Sequence, residues 1–217
     1  MDAARLAILD AMGVTAWVAR GGPSPASIAP AGLDWTELEE AVRGCRKCGL
    51  CESRTQTVFG TGDRKARLMV IGEAPGAEED RQGEPFVGRA GQLLNSMLAA
   101  AGFERGQVMI VNVLKCRPPN NRDPSNEEAA QCLPYLRRQI ELVQPDVILC
   151  VGRIAAQRLL GREEPLARMR GRVHEAAGRP VVVTYHPAYL LRSPGEKRKA
   201  WIDLKLVLGV LARGNRA

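Results

Sequence analysis

Four short apolar runs constrain this chain more than any other feature: residues 68–71, 108–113, 147–151 and 181–184. Each is a nearly continuous apolar stretch, which a strand tolerates when both faces of its sheet are covered. Between them, apolar residues recur at helical spacing over 90–101, 126–143 and 154–160, and a last helix is read over about 197–211. Strands alternating with helices in this way predict an α/β fold with four central, mainly parallel strands and helices on both faces.

Local signals mark where this body begins. Asp34 and Glu37 form a capping box ahead of the helical WTELEEAVRG, and Ser125 with Glu128 forms another. Pro134 falls inside the helix predicted over 126–143 and is expected to bend it or delay its regular start. Residues 1–20 read as a short amphipathic helix, and residues 21–32, rich in Gly, Pro, Ser and Ala, read as a linker. The expected organisation is an N-terminal extension over 1–33 and one domain over 34–217. A chain of 217 residues is long enough for one sizeable core and short for two. The N-terminus lacks the basic start and uninterrupted apolar core of a secretory signal, and no window reaches the apolar length of a membrane span. A cytoplasmic protein is expected. The charge of +7 is uneven: residues 1–44 are net acidic and the rest carries the excess of Lys and Arg. A basic body points to a polyanionic partner.

Ligands of open parallel sheets bind outside the carboxyl ends of the strands. The first run ends in Gly72-Glu73-Ala74-Pro75-Gly76, the second in Asn112 with Lys115 and Cys116 beyond, and the fourth in His186-Pro187-Ala188-Tyr189. A carboxylate, an amide and an imidazole are therefore brought to one edge. Gly72 and Gly76 allow backbone to approach a flat ligand. The glycines do not form a phosphate-binding fingerprint, and Glu78, Glu79 and Asp80 would repel a triphosphate.

The chain has six cysteines. Cys45 and Cys48 form a C-x2-C pair, Cys51 repeats the step, and Cys116 and Cys132 lie far downstream. Cys150 sits inside an apolar run and reads as a buried thiol. A close pair plus two distant thiols can make a four-thiolate site, which suits zinc or a [4Fe–4S] cluster; the spacing alone selects neither.

Taken together, GEAPGAEED, PFVGRAGQLL, NVLKCRPPNNRDP and HPAYLLR, in that order and with CRKC upstream, closely resemble the family 4 uracil-DNA glycosylases, iron–sulfur members of the uracil-DNA glycosylase superfamily. The resemblance covers roughly residues 40–210. It implies a three-layer α/β/α sandwich and monofunctional hydrolysis of the bond between deoxyribose and uracil, without lyase activity. It also implies a structural [4Fe–4S] cluster on Cys45, Cys48, Cys116 and Cys132. The implied partner is uracil-containing DNA, single- or double-stranded, met by a monomer. The extension is a candidate docking segment for a replication or repair protein.

Such enzymes flip a base out of DNA into a pocket. Gly72, Glu73 and Ala74 would meet one ring edge, Phe86 would stack on the ring, and Asn112 would read the opposite edge. Uracil offers an O4 acceptor and an N3–H donor, which one amide can match; cytosine inverts the pair and leaves buried groups unpaired, at roughly 1–3 kcal/mol each. His186 would stabilise charge developing on uracil O2. The best-known family of the superfamily carries Gly-Gln-Asp-Pro in its first motif and uses that Asp on water, whereas Ala74 stands here. The carboxylate work is assigned first to Glu73 and second to Glu79, which is alternatively a wall against thymine's methyl group. Leu190 and Leu191 are expected as an apolar wedge into the base stack. Arg192 is expected on phosphate. A rival reading is a non-catalytic or covalently DNA-trapping iron–sulfur module on the same fold. The trapping relative uses a histidine in the loop after the second strand; the loop here, CRPPNNRDP, has none, and the chain's two histidines are His174 and His186.

Overall fold

The computed structural model describes residues 11–13 and 30–214. All but residues 11–13 of the helix read over 1–20, and most of the linker read over 21–32, lie outside these residues. In chain order, the described helices are α1 (Trp35–Arg43), α2 (Leu50–Ser53), α3 (Ala77–Gln82), α4 (Arg89–Ala100), α5 (Asn126–Val143), α6 (Arg153–Leu160), α7 (Leu166–Met169), α8 (Pro187–Arg192) and α9 (Lys197–Gly214). The strands are β1 (Thr61–Gly62), β2 (Leu68–Gly72), β3 (Met109–Asn112), β4 (Val147–Val151), β5 (Val173–Ala176) and β6 (Arg179–Thr184).

The sheet has six strands among the described residues, in the order β1-β3-β2-β4-β6-β5. The four apolar runs are its parallel centre, β3-β2-β4-β6. The four-strand expectation therefore falls short by two antiparallel edge strands, β1 on β3 and β5 on β6. Both escape the sequence pattern for a physical reason. β1 is two residues long, and β5 leaves Val173 and Glu175 exposed, so neither forms a continuous apolar run.

Alternate residues of the central strands feed opposite faces. Met69, Ile71, Ile148 and Cys150 pack with Leu136 and Ile140 of α5 and Ala155 and Ala156 of α6. Leu68, Val70, Val147 and Leu149 pack with Leu94 and Leu98 of α4 and Leu204, Val207 and Leu211 of α9. The result is the α/β/α sandwich. A third cluster joins α1 to α5 through Leu38, Val42, Leu50, Leu114 and Tyr135, and it contains the thiols of Cys116 and Cys132.

Both capping boxes form. Asp34 accepts from the Glu37 N–H and Glu37 from the Asp34 N–H, each at 2.9 Å. Ser125 and Glu128 reciprocate at 3.2 and 2.8 Å. Helix α5 is continuous through Pro134.

Candidate active site

Because the chain steps from β2 to β3 on one side and from β4 to β6 on the other, the sheet changes direction between β2 and β4. Parallel sheets of this kind open a crevice at such a point. Here the crevice is a cleft of about 520 Å³, lined by residues of the loops after β2, β3 and β6. It holds Glu73, Ala74, Glu79, Phe86, Asn112, His186 and Arg192, which the sequence singled out, and adds Pro118, Asn121, Asp123 and Tyr189.

Asn112, the last residue of β3, is 2% exposed, and its Oδ1 has no hydrogen-bond partner. A buried, unpaired amide oxygen is costly. It is the observation that most directly marks the cleft as built for a polar guest. Gly72 makes the space for both Asn112 and Phe86: a Cβ on Gly72 would lie 2.3 Å from Asn112 Oδ1 and 2.6 Å from Phe86 Cζ. Gly72 does not line the cleft. Its role as a ligand-contacting backbone is corrected to that of a floor that lets two side chains meet. Phe86 is held at φ +54°, with its carbonyl 1.8 Å from where a Gly91 Cβ would stand, so Gly91 is required for this turn. The Phe86 ring stacks at 5.7 Å and 29° on His186.

His186 caps α8. Its Nδ1 accepts the Ala188 N–H at 3.1 Å, so the neutral ring carries its proton on Nε2. Burial, aided by Arg192 and opposed by Glu79, pushes its pKa down to about 4. A neutral imidazole that donates from Nε2 is thus the resting state near neutral pH.

The three acids after Gly76 have three separate duties. Glu78 faces solvent and pairs with Arg81 at 2.7 Å. Asp80 is buried and accepts the Thr55 N–H at 3.0 Å on both oxygens, tying the segment before β1 to α3. Glu79 reaches back: Oε2 accepts from Gly76, while Oε1 accepts from Val87 at 3.0 Å and Gly88 at 3.1 Å. Both oxygens of Glu79 are committed to backbone donors that hold the two loops around the cleft. Glu73 makes no such bonds. Burial first, then the nearby Asp123, raises its pKa to about 7, with Arg153 and Arg158 opposing.

A further expected site residue is misplaced. Leu190 is fully buried under α4 and α9, whereas Leu191 is 38% exposed. Residues 187–192 form a helix, and neighbouring residues on a helix point about 100° apart, so one leucine joins the core and the other faces out. The wedge assignment is withdrawn for Leu190. Beside Leu191, Tyr189 is 37% exposed and stacks on Tyr185 at 5.0 Å, an aromatic pair at the rim that the apolar reading of this segment passed over.

Behind the cleft lies a second site. Cys45, Cys48, Cys51, Cys116 and Cys132 line one cavity with Arg54 and Tyr135. Arg54 Nη1 donates to Cys116 Sγ at 2.9 Å, and the Lys115 N–H donates to Cys132 Sγ at 3.2 Å. Burial pushes the Cys132 thiol up to about 12, against the pull of Lys115. Among the described residues, no three His, Cys, Asp or Glu groups converge closely enough to hold a single metal ion. Cys150 is buried in β4, away from this cavity, as expected.

Lys115 joins the two sites and is a residue whose role sequence reasoning missed. It is 1% exposed, and its Nζ donates to the Asn112 carbonyl at 2.8 Å and to Gln139 Oε1 at 2.6 Å. Burial lowers its pKa to about 8. A lysine in an apolar run's wake signals nothing by itself; its meaning lies in the acceptors that the fold brings to it.

The cleft of this sandwich thus gathers an amide, a neutral imidazole and a carboxyl group at one edge of the sheet. Residues 59–205 match the model of the uracil DNA glycosylase superfamily. Type-4 uracil-DNA glycosylases of Archaeoglobus fulgidus and Pyrobaculum aerophilum are each 44% identical to the chain, over 79% and 82% of it and 90% and 94% of their own lengths. That of Thermotoga maritima is 44% identical over 72% of the chain and 82% of its own. The chain belongs to the uracil DNA glycosylase superfamily and, within it, to the type-4 uracil-DNA glycosylases. Among the described residues, no helix is long and apolar enough to cross a membrane.

Proposed function

We propose that the chain flips uracil out of DNA and hydrolyses its N-glycosidic bond, leaving an abasic site, as a monofunctional glycosylase acting as a monomer in the cytoplasm. The unpaired Oδ1 of buried Asn112 carries this reading. Uracil N3–H is its donor, and the amide nitrogen serves uracil O4; cytosine presents the inverse pattern. Phe86 takes the ring face. His186, neutral and protonated on Nε2, donates to uracil O2 as the C1′–N1 bond breaks and charge moves onto the base. Glu73 is the cleft's carboxyl group free to accept a proton from water; its ionised share grows above about pH 7, so excision is expected to fall on the acid side. Glu79 positions the loops and is not the base. The basic side chains of Arg192, Lys197, Arg198 and Lys199, with Leu191 and Tyr189 at the rim, form the strand-binding surface.

The thiol cavity suits a [4Fe–4S] cluster on Cys45, Cys48, Cys116 and Cys132. Its lining brings these four thiols, with Cys51, around one cavity. When bound, the cluster supplies a structural cross-link and no redox step; hydrolysis moves no net electrons. It would tie the segment before α2 to the loop after β3 and to α5. Activity is assigned to residues 34–217, with residues 1–33 an appendage that takes a replication or repair partner.

The test is a labelled single-stranded oligonucleotide with one deoxyuridine. Cleavage at the uracil only after hot alkali, with cytosine and thymine controls intact and no shifted protein band on a denaturing gel, is the expected result. A shifted band would convert the reading to covalent trapping, and intact oligonucleotide would remove the enzyme assignment for this substrate.

A further inference from the structure

Three carboxyl groups line the cleft: Glu73, Glu79 and Asp123. Glu79 engages both oxygens with backbone donors, three bonds in all, and so serves first to hold the loops around the cleft. Asp123 remains without a role. It belongs to the loop between β3 and α5, a segment whose shape is fixed on both sides. Asn120 and Asn121 hold φ +54°, and Arg122 makes a two-pronged bond to Glu128 at 2.8 and 2.6 Å. Asp123 Oδ2 accepts from Arg153 Nη2 at 3.3 Å, and Arg153 opens α6 directly after Gly152, which packs on His186. This exposed contact joins the loop after β3 to the start of α6, and Asp123 and Glu73 both line the cleft.

We propose that Asp123 and Glu73 work as a carboxyl pair in the hydrolytic step: Glu73 takes the proton of the attacking water, and Asp123, anchored by Arg153, is a positioning residue that supplies the negative field in which that proton is held. Water oxygen bonds to C1′, the C1′–N1 bond breaks with its electron pair leaving on uracil, and the water proton passes to Glu73. A second carboxylate lining the same cleft favours the protonated form of Glu73. The charged groups around Glu73 are Asp123 from the β3 loop and Arg153 and Arg158 from α6; the first strengthens its hold on a proton and the two arginines weaken it. Elsewhere on the cleft stand Glu79, His186, Arg192 and Arg122. An exposed aspartate in a polar loop gives no sign of this in the sequence, since its neighbour across the cleft lies about fifty residues earlier.

This inference rests on Glu73 being the base, so the test separates the two. Single-turnover excision from the deoxyuridine oligonucleotide is followed across the pH range for the full chain, Asp123→Asn, Asp123→Glu and Glu73→Gln, with free-uracil affinity measured for each. Asp123 is largely exposed, so its variants are expected to fold. Asp123→Asn is expected to slow excision about 5- to 20-fold on the alkaline plateau, as removal of part of a general-base arrangement does. It should also move the acid limb to lower pH, because Glu73 then holds its proton less tightly. Uracil affinity should stay within about twofold, since Asp123 touches no base-reading group. Asp123→Glu should return the limb towards its original position. An acid limb and rate unchanged in Asp123→Asn, with the limb lost in Glu73→Gln, would overturn the pair and leave Glu73 as a lone base. A Glu73→Gln variant with full activity and an intact limb would overturn the base assignment and the pair together.

Discussion

The base cleft and the thiol cavity stand back to back in one molecule and are finished to different degrees. In the cleft, the decisive polar atom, Asn112 Oδ1, is buried without a partner, and His186 directs a spare N–H inward. In the cavity, two of the four assigned sulfurs already have donors, from Arg54 and from the Lys115 backbone. Aromatic and aliphatic side chains complete its wall. A site that leaves hydrogen bonds unmade is one whose ligand comes and goes and is recognised by making them. A site whose ligand atoms are already supported from behind is one whose occupant stays. The segment from Asn112 to Cys116 belongs to both, and Lys115 is its pivot.

Asn112→Ala should part the two regions most sharply. It is expected to lower uracil excision about 10²- to 10³-fold, the loss typical of removing one preorganised polar group, with iron content and melting temperature near those of the unaltered chain. A comparable loss of both activity and iron would show that the regions are not independent. Next, if the proposed cluster cross-links the β3 loop to α5, Cys132→Ser should cost ~3 kcal/mol or more of stability and lower the melting temperature by about 6–12 °C. Calorimetry beside an iron assay decides it: loss of iron without a stability change would make the cavity a non-structural site.

Lys115→Met probes the hinge between the two regions. It strands the Asn112 carbonyl and the Gln139 amide oxygen without their donor, at about 1–3 kcal/mol each. Lower stability should come with uracil affinity weakened about tenfold, read by titration with free uracil. Lower stability with unchanged affinity would confine Lys115 to scaffolding. Cys51→Ser should do least. Cys51 lines the cavity, yet the other four thiols complete a set, so iron content and excision should stay within about twofold of the unaltered chain. Loss of iron would mean that the ligand set is a different choice among the five thiols.

Much of the fold and part of the site are legible in the sequence. The four apolar runs mark the parallel centre of the sheet because continuous burial on both faces leaves a continuous apolar stretch. Both capping boxes are readable because their partners are three residues apart. Asn112, Glu73 and His186 are found together because they end strands or follow them, and parallel strand ends share an edge. The edge strands are not legible, being too short or half exposed. Nor is the division of labour between Leu190 and Leu191, which depends on which side of a six-residue helix meets α4 and α9.

The order of elements, the family, the polar trio at the strand ends and the supply of thiols are all written in local spacing or in contiguous motifs, and the amino-acid sequence alone suffices for them. Which groups are free to act is a matter of tertiary contacts. Glu79 is engaged by backbone donors at Gly76, Val87 and Gly88, Asp123 meets Arg153, and Lys115 is held between Asn112 and Gln139. The availability of a charged or polar atom is fixed by the partners it has already met and by the water it has lost. Apart from the backbone that Glu79 reaches, those partners come largely from distant parts of the chain.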